Sequence, residues 1–338
     1  MKHNKLKQGL LALAVFALCA VTLTACGGSG GTEKQMHKIG IVQLVEHDAL
    51  DAANKGFVDG LAEEGYKEGE NVTIDRQNAQ GEQANLKNIA DRFVNEKSDL
   101  ILAIATPAVQ TVAATTKDIP ILGTAVTDYV EAKLVVSNEA PGGNISGTTD
   151  MNPVADQLDL LLKLVPDAKT VGVIYTSSEV NSEIQVRILK EHAQSKGIAV
   201  TEVTISNVND IQQAAQSLVG KVDAVYVPTD NMVASAMPML TQITTANKIP
   251  VMCGEANMVK EGGLATLSVD YYKLGVQTGK MAAKILSGEA TPATMPIEAQ
   301  SEFSVVINQT VAEELGIVID EDILKDAQVV TKDAENGK

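Results

Sequence analysis

Short apolar runs alternate along the chain with segments whose apolar residues recur every three or four positions. The first such run covers residues 38–44, and residues 48–65 after it place Leu50, Ala53 and Phe57 on one helical face. The alternation continues to residue 125. The further predicted strands of this half are residues 71–76, 99–105 and 119–125, and its further predicted helices are residues 83–95 and a helix that begins at Thr106.

The same order of elements returns in the second half of the chain. Residues 170–175 correspond to the first strand, and residues 222–227 correspond to residues 99–105. The other predicted elements here are strands at 199–205 and 248–252 and helices at 182–197, at 210–219 and from Asn231 onward. Continuous apolar strands are typical of parallel sheets that are covered on both faces. The two halves therefore predict an α/β fold of two Rossmann-like lobes, each a parallel sheet between layers of helices.

The chain is predicted to pass between these lobes three times. Residues 144–149 and 263–269 are expected to be crossing strands, and a last strand at 301–307 follows a helix at 272–287. The first lobe then comprises residues 38–147 with 270–299, and the second comprises residues 148–269 with 300–332. Three crossings make a hinge that bends with little local strain, which suits closure of the lobes around a ligand.

The first 25 residues have the pattern of a lipoprotein signal peptide. Three lysines within residues 2–7 precede an apolar run at residues 10–23, which is too short to span a bilayer comfortably. The run ends in Leu-Thr-Ala-Cys, the order of a bacterial lipobox, whose cysteine (here Cys26) receives a lipid and becomes the new N-terminus. Residues 26–37 form a Gly-rich tether. We therefore expect a protein that is lipid-anchored to the cell membrane outside the cytoplasm, and no further membrane span.

Composition and charge exclude several classes of protein. The 27 Lys and Arg against 43 Asp and Glu give a net charge of −16, which becomes −19 if the signal is removed. So acidic a chain argues against nucleic acid as a partner and against a transcription regulator of the same fold. The four His are scattered, so neither a metal site nor a cofactor is expected. Common hydrolase, zinc-protease and nucleotide-binding motifs are absent, so an enzyme is not expected either.

Seven short segments, in this order and at these spacings, carry a family resemblance. They are residues 40–43 with 46–51, 78–81, 106–108, 125–128, 144–147, 222–231 and 274–279. The chain resembles type I periplasmic binding proteins, and more closely the ABC transporter substrate-binding lipoproteins whose characterised members bind aromatic amino acids. The resemblance covers nearly the whole chain after the signal. It implies a receptor, expected here as a monomer, that delivers a captured solute to a membrane permease and its ATPase.

Ligands of open α/β sheets bind beyond the carboxyl ends of the strands, so two facing lobes predict a site in the cleft between them. Thr106 and Pro107 begin a helix, whose N-terminus can hold an anion, and the Thr106 hydroxyl can donate to a carboxylate; the alternative is ordinary helix capping. The resemblance to amino-acid receptors implies that the α-carboxylate lies at Thr106 and Thr127. The other candidates in the cleft loops are Gln43, Glu46, Gly81, Asp128, Tyr175, Ser177 and Asn231.

An ammonium group needs a carboxylate partner inside the cleft. Asp230 and Glu255 each follow a core strand of the second lobe, and Asp270 lies beside a predicted hinge. The alternatives are a helix N-cap for Asp230 and a solvated loop acid for Glu255, although resemblance to branched-chain amino-acid receptors favours Glu255 as an amine ligand. His47 is expected to be a polar rim or capping residue.

Several ligand classes stay open. Sugar clefts of this fold are usually lined by Trp and Phe with many polar side chains and Arg, whereas this chain has no Trp. The hypothesis is a zwitterionic amino acid, and its aromatic character rests on the resemblance alone. Nucleosides, sugar-like ligands and a surface lipoprotein without a transport role are the alternatives.

Overall fold

Residues 36–331 are described by a computed structural model. The predicted signal peptide, Cys26 and residues 26–35 of the predicted tether lie outside the described residues, as do residues 332–338. Within residues 36–331, no helix is long and apolar enough to cross a membrane.

Strands and helices alternate along most of the chain. The strands are β1 (His37–Gln43), β2 (Val72–Asn78), β3 (Leu100–Ile104), β4 (Ile121–Val126), β5 (Ile145–Thr149), β6 (Thr170–Thr176), β7 (Ala199–Ile205), β8 (Ala224–Val227), β9 (Val251–Cys253), β10 (Ala265–Ser268), β11 (Glu298–Ala299), β12 (Ser304–Asn308) and β13 (Gln328–Val330). The helices are α1 (Asp48–Glu63), α2 (Gln83–Asn95), α3 (Thr106–Thr115), α4 (Val154–Leu164), α5 (Val180–Lys196), α6 (Ile211–Leu218), α7 (Asn231–Ser235), α8 (Met237–Ala246), α9 (Ala256–Lys260), α10 (Tyr271–Leu286), α11 (Gln309–Leu315) and α12 (Glu321–Leu324), with a 3-10 turn at Val208–Asp210.

The strands form two sheets. The first has the order β11-β5-β4-β3-β1-β2 and the second has the order β13-β12-β10-β9-β8-β6-β7. The recorded strand pairs are parallel, except that β10 and β12 run antiparallel. The predicted fold of two α/β lobes with mostly parallel sheets is confirmed. The antiparallel strand was not predicted, and it arises because β12 enters the second sheet directly from β11 of the first.

Three crossings join the sheets, as the sequence predicts. They lie between β5 and α4, between β10 and α10, and between β11 and β12. The first lobe is therefore completed by α10 and β11, which come late in the chain. Three connecting segments of the chain therefore run between the lobes.

Helix α10 packs against α1 of the first lobe through glycines. Gly56 and Gly60 on α1 face Gly275 and Gly279 on α10, and a Cβ atom at any of these four positions would collide with backbone of the opposite helix. The absence of side chains allows the two helices to approach closely. The late helix is thereby fixed onto the early part of the chain.

One amphipathic helix and several short elements were not predicted. The amphipathic helix α4 has apolar residues at helical spacing, Val154, Leu158 and Leu161, all buried, but it lies outside the two repeating halves. Helix α9, helix α12 and the strands β11 and β13 span only two to five residues each. Patterns this short carry no measurable periodicity, so contacts with the rest of the fold decide their structure.

Candidate ligand-binding site

A small cavity lies between the lobes. His47, Leu50, Ala125 and Thr127 line it from the first lobe, Asp150 and Tyr271 line it from the crossings, and Asn181, Thr229, Asp230, Asn231, Ala234, Glu255 and Met258 line it from the second lobe. The lobes meet across it, because Thr127 Oγ1 is 3.5 Å from Thr229 Oγ1 and His47 Nε2 is 3.4 Å from Asn231 Oδ1. A solute can therefore enter only when the lobes separate.

Most lining residues follow the carboxyl end of a strand. Thr127 follows β4, Asp150 follows β5, Asp230 follows β8 and Glu255 follows β9. In parallel sheets these ends lie at one edge, so the topology gathers polar loop residues there. Apolar surface comes from Leu50, Ala125, Ala234, Met258 and the Tyr271 ring.

The cavity is acidic. Asp150, Asp230 and Glu255 line it and are at least 97 % buried, and the buried carboxyl group of Glu179 contacts the lining residues Asn181 and Asn231. Among the described residues that line it there is no Lys or Arg. Burial lowers the pKa of His47 to about 4, so its imidazole is neutral. The walls therefore carry negative charge without a protein cation to balance it.

Asp230 is held by four donors of its own lobe. The amide N and Oγ1 of Thr176 lie 2.6 and 2.8 Å from its carboxylate oxygens, Ser182 Oγ lies at 2.7 Å and Val233 N at 3.0 Å. The hydrogen bond from Val233 N makes Asp230 the N-cap of α7, which was the alternative to ligand binding in the sequence analysis. Burial nevertheless raises the pKa of Asp230.

Glu255 caps α9. Its carboxylate accepts hydrogen bonds from Asn257 N at 2.6 Å and from Met258 N at 2.8 Å. Burial raises the pKa of Glu255 to about 7. The Glu255 side chain is buried, so the alternative of a solvated loop acid is wrong.

Two carboxyl groups at the site were not predicted. Glu179 accepts hydrogen bonds from Asn181, Asn231 and the Met232 amide, and burial followed by the charge of Asp230 raises its pKa. Asp150 lies at the first crossing, where burial raises its pKa to about 6. The available signal for Asp150 was its position as the first acid after a predicted crossing strand.

Two buried side-chain oxygens near the cleft have no hydrogen-bond partner. One is Asn181 Oδ1, in the cavity wall, and the other is Thr106 Oγ1, at the first residue of α3. Because Asn181 Nδ2 donates to Glu179 Oε2 and to Thr229 O, the amide orientation is fixed and Oδ1 is the atom left without a donor. A buried polar group without a partner is costly, so both atoms are suited to meeting a ligand.

Thr106 is not the N-cap that the sequence suggests. Ala105 occupies that position with φ +85°, and no side chain caps α3. Thr106 is the first helical residue and Pro107 is the second. Thr106 and Thr127 follow the paired strands β3 and β4, so they lie at the same edge of the first sheet.

Three other candidates lie beside the cavity or at the junction of the lobes. Exposed Glu46 lines an adjoining groove that shares His47, Ala234, Glu255 and Met258 with the cavity. Gly81 has φ +76°, and a Cβ atom there would lie 2.9 Å from Met232 Sδ of the second lobe. Asn231 lines the cavity and faces His47.

Thr106, Pro107, Glu46 and Gly81 do not line the cavity itself. Five further candidates also do not line it, and their contacts explain why. Gln43 is turned inward, where its side chain binds Val45 O, Asp51 and Asn54. Asp128 accepts hydrogen bonds from the next turn of its own loop. Asp270 is exposed and caps α10.

Tyr175 and Ser177 complete this group. The strand alternation points Thr176 at Asp230 and sends Tyr175 to the other face, where its hydroxyl donates to Glu202. Ser177 is exposed, and its amide binds Ile205 O. The residue between them, Thr176, is the one whose side chain reaches a cavity acid.

No cluster of His, Cys, Asp and Glu among residues 36–331 has the geometry of a metal site. The acidic walls suit a positively charged group of a ligand, such as an ammonium group, by their charge.

Comparison with known proteins decides the family. A family model described as ABC transporter substrate binding protein matches residues 38–331. The chain belongs to the ABC transporter substrate-binding protein family. As a substrate-binding protein it is a receptor for a small molecule, acts outside the cytoplasm and serves an ABC permease. The predicted receptor class and type I periplasmic binding protein fold are confirmed.

Three relatives are particularly similar to this substrate-binding protein. A tyrosine-binding protein of Clostridioides difficile is 44 % identical over 311 residues, which is 89 % of this chain and 90 % of the relative. A Streptococcus pneumonia ABC domain crystallised with L-Trp is 41 % identical, with a TM-score of 0.85 over 88 % of this chain and 100 % of that one. A ligand-free, open substrate-binding protein with adhesive properties from Clostridium difficile is 47 % identical, with a TM-score of 0.67 over 88 % and 99 %.

The two TM-scores identify the conformation of this substrate-binding protein. Its sequence is nearer to that of the ligand-free open structure, yet its shape is nearer to that of the L-Trp complex. Sequence divergence cannot produce this order, whereas a difference in lobe arrangement can. The lobes described here are therefore in the closed arrangement.

Proposed function

We propose that this protein captures an aromatic α-amino acid, such as Trp, Tyr or Phe, by closing its lobes around it. The observation that carries the proposal is a small, acidic cavity without a protein cation, in a chain 41 % identical to a protein crystallised with L-Trp. An ammonium group would balance the wall carboxylates, and a ring would contact Leu50, Met258 and Tyr271.

The carboxylate end of the ligand is assigned to the edge of the first sheet. Thr106 Oγ1 is buried without a partner at the N-terminus of a ten-residue helix, where a partial positive charge favours an anion. Thr127 follows the neighbouring strand and lines the cavity. A ligand held at one end by this edge and at the other by the acidic wall favours the closed form, because only differential affinity can shift the equilibrium.

Closure is proposed to occur about the three crossings. The moving bodies are residues 38–147 with 270–299 and residues 148–269 with 300–332. The protein is further proposed to bind without chemical conversion of the ligand, to act as a monomer, and to be held at the membrane through lipidated Cys26. The lipobox and Gly-rich tether support the anchor.

Ligand fluorescence tests the proposal directly. The chain contains no Trp, so added L-tryptophan is the sole indole in the sample. We expect a saturable change in its emission and a rise in its anisotropy as protein is titrated in, and competition by L-tyrosine and L-phenylalanine. If the signal does not saturate with tryptophan and neither other amino acid shifts the melting temperature, the aromatic amino-acid proposal is wrong.

A further inference from the structure

Asp150 Oδ1 has the longest contact among the carboxylate oxygens that line the cavity. Among residues 36–331, the one side chain that donates to it is Thr127, whose Oγ1 lies at 3.4 Å and is also near Thr229 and Gln185. Every carboxylate oxygen of Asp230 and Glu255 has a donor of its own lobe within 3.0 Å. Asp150 is therefore the lining acid with the greatest remaining capacity to accept a hydrogen bond.

The other oxygen of Asp150 is held by a hydrogen bond from Tyr271, a residue beside the second crossing. Tyr271 OH donates to Asp150 Oδ2 at 2.6 Å. Asp150 directly follows β5 at the first crossing, and Tyr271 begins α10 directly after the second. This bond joins two of the three crossings and sets the direction in which Oδ1 points.

We propose that Asp150 Oδ1, at the hinge, accepts the ammonium group of the ligand. This inference rests on the proposed function and deepens it by naming the residue that recognises the amine. The carboxylate is 97 % buried, and no protein cation contacts it among the described residues. The raised pKa of Asp150 reflects the same uncompensated burial. An ammonium group would supply both a positive charge and a hydrogen-bond donor to this carboxylate.

The assignment has a consequence for specificity. A ligand without the amine leaves a buried carboxylate unpaired, so a closed complex with it is disfavoured. The site then selects α-amino acids over the corresponding deaminated acids. Asp230 and Glu255, which were the candidates for this role in the sequence, act instead as helix caps whose charge adds to the field of the cavity.

Binding of two ligands to the wild-type protein and to two variants tests the assignment. The variants are Asp150→Asn and, as a matched control, Glu255→Gln, which neutralises a lining acid whose oxygens are already occupied. The ligands are L-tryptophan and indole-3-propionate, which lacks the amine. We expect Asp150→Asn to weaken L-tryptophan binding by about 30-fold or more, the size typical of a lost buried charge pair, and indole-3-propionate binding by less than about threefold.

The outcomes separate this inference from the proposed function. If Asp150→Asn weakens both ligands equally, or if the amine-specific loss appears in Glu255→Gln, the assignment of Asp150 is wrong while the receptor function stands. If the wild-type protein binds no aromatic amino acid, both are wrong.

A calorimetric measurement on the wild-type protein covers the case in which the variant does not fold. An ammonium group beside Asp150 lowers the pKa of its carboxyl group, so near pH 6 the complex with L-tryptophan should hold fewer protons than the complex with indole-3-propionate. Closure of the lobes is common to both ligands and cancels in this difference. Buffers with different heats of ionisation measure the protons exchanged on binding, and an equal exchange with both ligands contradicts the assignment.

Discussion

Three residues other than glycine adopt positive φ at or just beyond the carboxyl ends of strands of the first lobe. They are Gln80 at +56°, Ala105 at +85° and Ala125 at +55°. Such backbone is costly for a residue with a Cβ atom and persists where the surrounding structure enforces it. Ala105 shows why the sequence predicted the wrong N-cap: Thr106 has the preferred chemistry, but packing places Ala105 at the cap position and leaves the Thr106 hydroxyl without a partner.

Replacement of Thr106 by valine tests the role of this hydroxyl. Thr106→Val removes a buried group without a partner and keeps the side-chain shape, so we expect the melting temperature of the ligand-free protein to stay the same or rise. We expect L-tryptophan binding to weaken by about 10-fold to 100-fold, as for the loss of one hydrogen bond to a charged group.

Thr148→Val is the matched control. Thr148 Oγ1 is buried and bonds to Thr124 and Thr278, so this variant should lose stability and keep its affinity. Unchanged affinity in Thr106→Val would remove Thr106 from the carboxylate site.

At the level of elements, the sequence predicts those helices and strands whose apolar residues recur at a regular spacing. The prediction of helix Gln83–Asn95 and strand Ala199–Ile205 matches the structure at both ends, because apolar spacing and flanking polar residues define them. The cavity position follows from the same alternation. The hydrogen bonds of each acid do not follow from it, because donors such as Tyr271 for Asp150 and Thr176 for Asp230 come from distant parts of the chain.

The contact between α1 and α10 gives a prediction about stability. A Cβ atom at Gly279 would collide with backbone of α1 at Phe57 O, so Gly279→Ala forces the helices apart. We expect a loss of about 1–3 kcal/mol in the free energy of unfolding, the usual cost of overpacking, measured as a lower urea midpoint.

Gly143→Ala is the control for this change. Gly143 has no atom within 4 Å of an added Cβ and no positive φ, so this variant should unfold like the wild type. Equal midpoints for Gly279→Ala and the wild type would contradict the close approach of the helices.

At the level of the whole molecule, lobe closure is linked to protons. Burial in the cavity raises the pKa of Glu255 to about 7 and that of Asp150 to about 6. We expect separation of the lobes to return both carboxyl groups towards water, so that the closed form binds protons that the open form does not. Acidification from pH 8 to 6.5 should favour the ligand-free closed form. His47 opposes this below about pH 6.5, because its pKa falls to about 4 on burial.

Small-angle scattering of the ligand-free protein measures this linkage. From these pKa values we expect closure to gain about 1 kcal/mol between pH 8 and 6.5, roughly a fivefold shift in the equilibrium, seen as a smaller radius of gyration at pH 6.5. Of these two groups Glu255 contributes the larger share, so Glu255→Gln should reduce the shift. A radius that stays constant or grows as the pH falls would show that the cavity acids do not titrate with closure.

The late position of α10 has a consequence for the order of folding. The first lobe begins at residue 37, yet the helix that covers α1 ends only at residue 286. A chain that emerges from its N-terminus cannot complete this lobe until most of the second lobe has already appeared. Because such distant contacts form slowly, we expect α1 to gain protection from proteases only after residues 148–269 have been synthesised and α10 has packed against it.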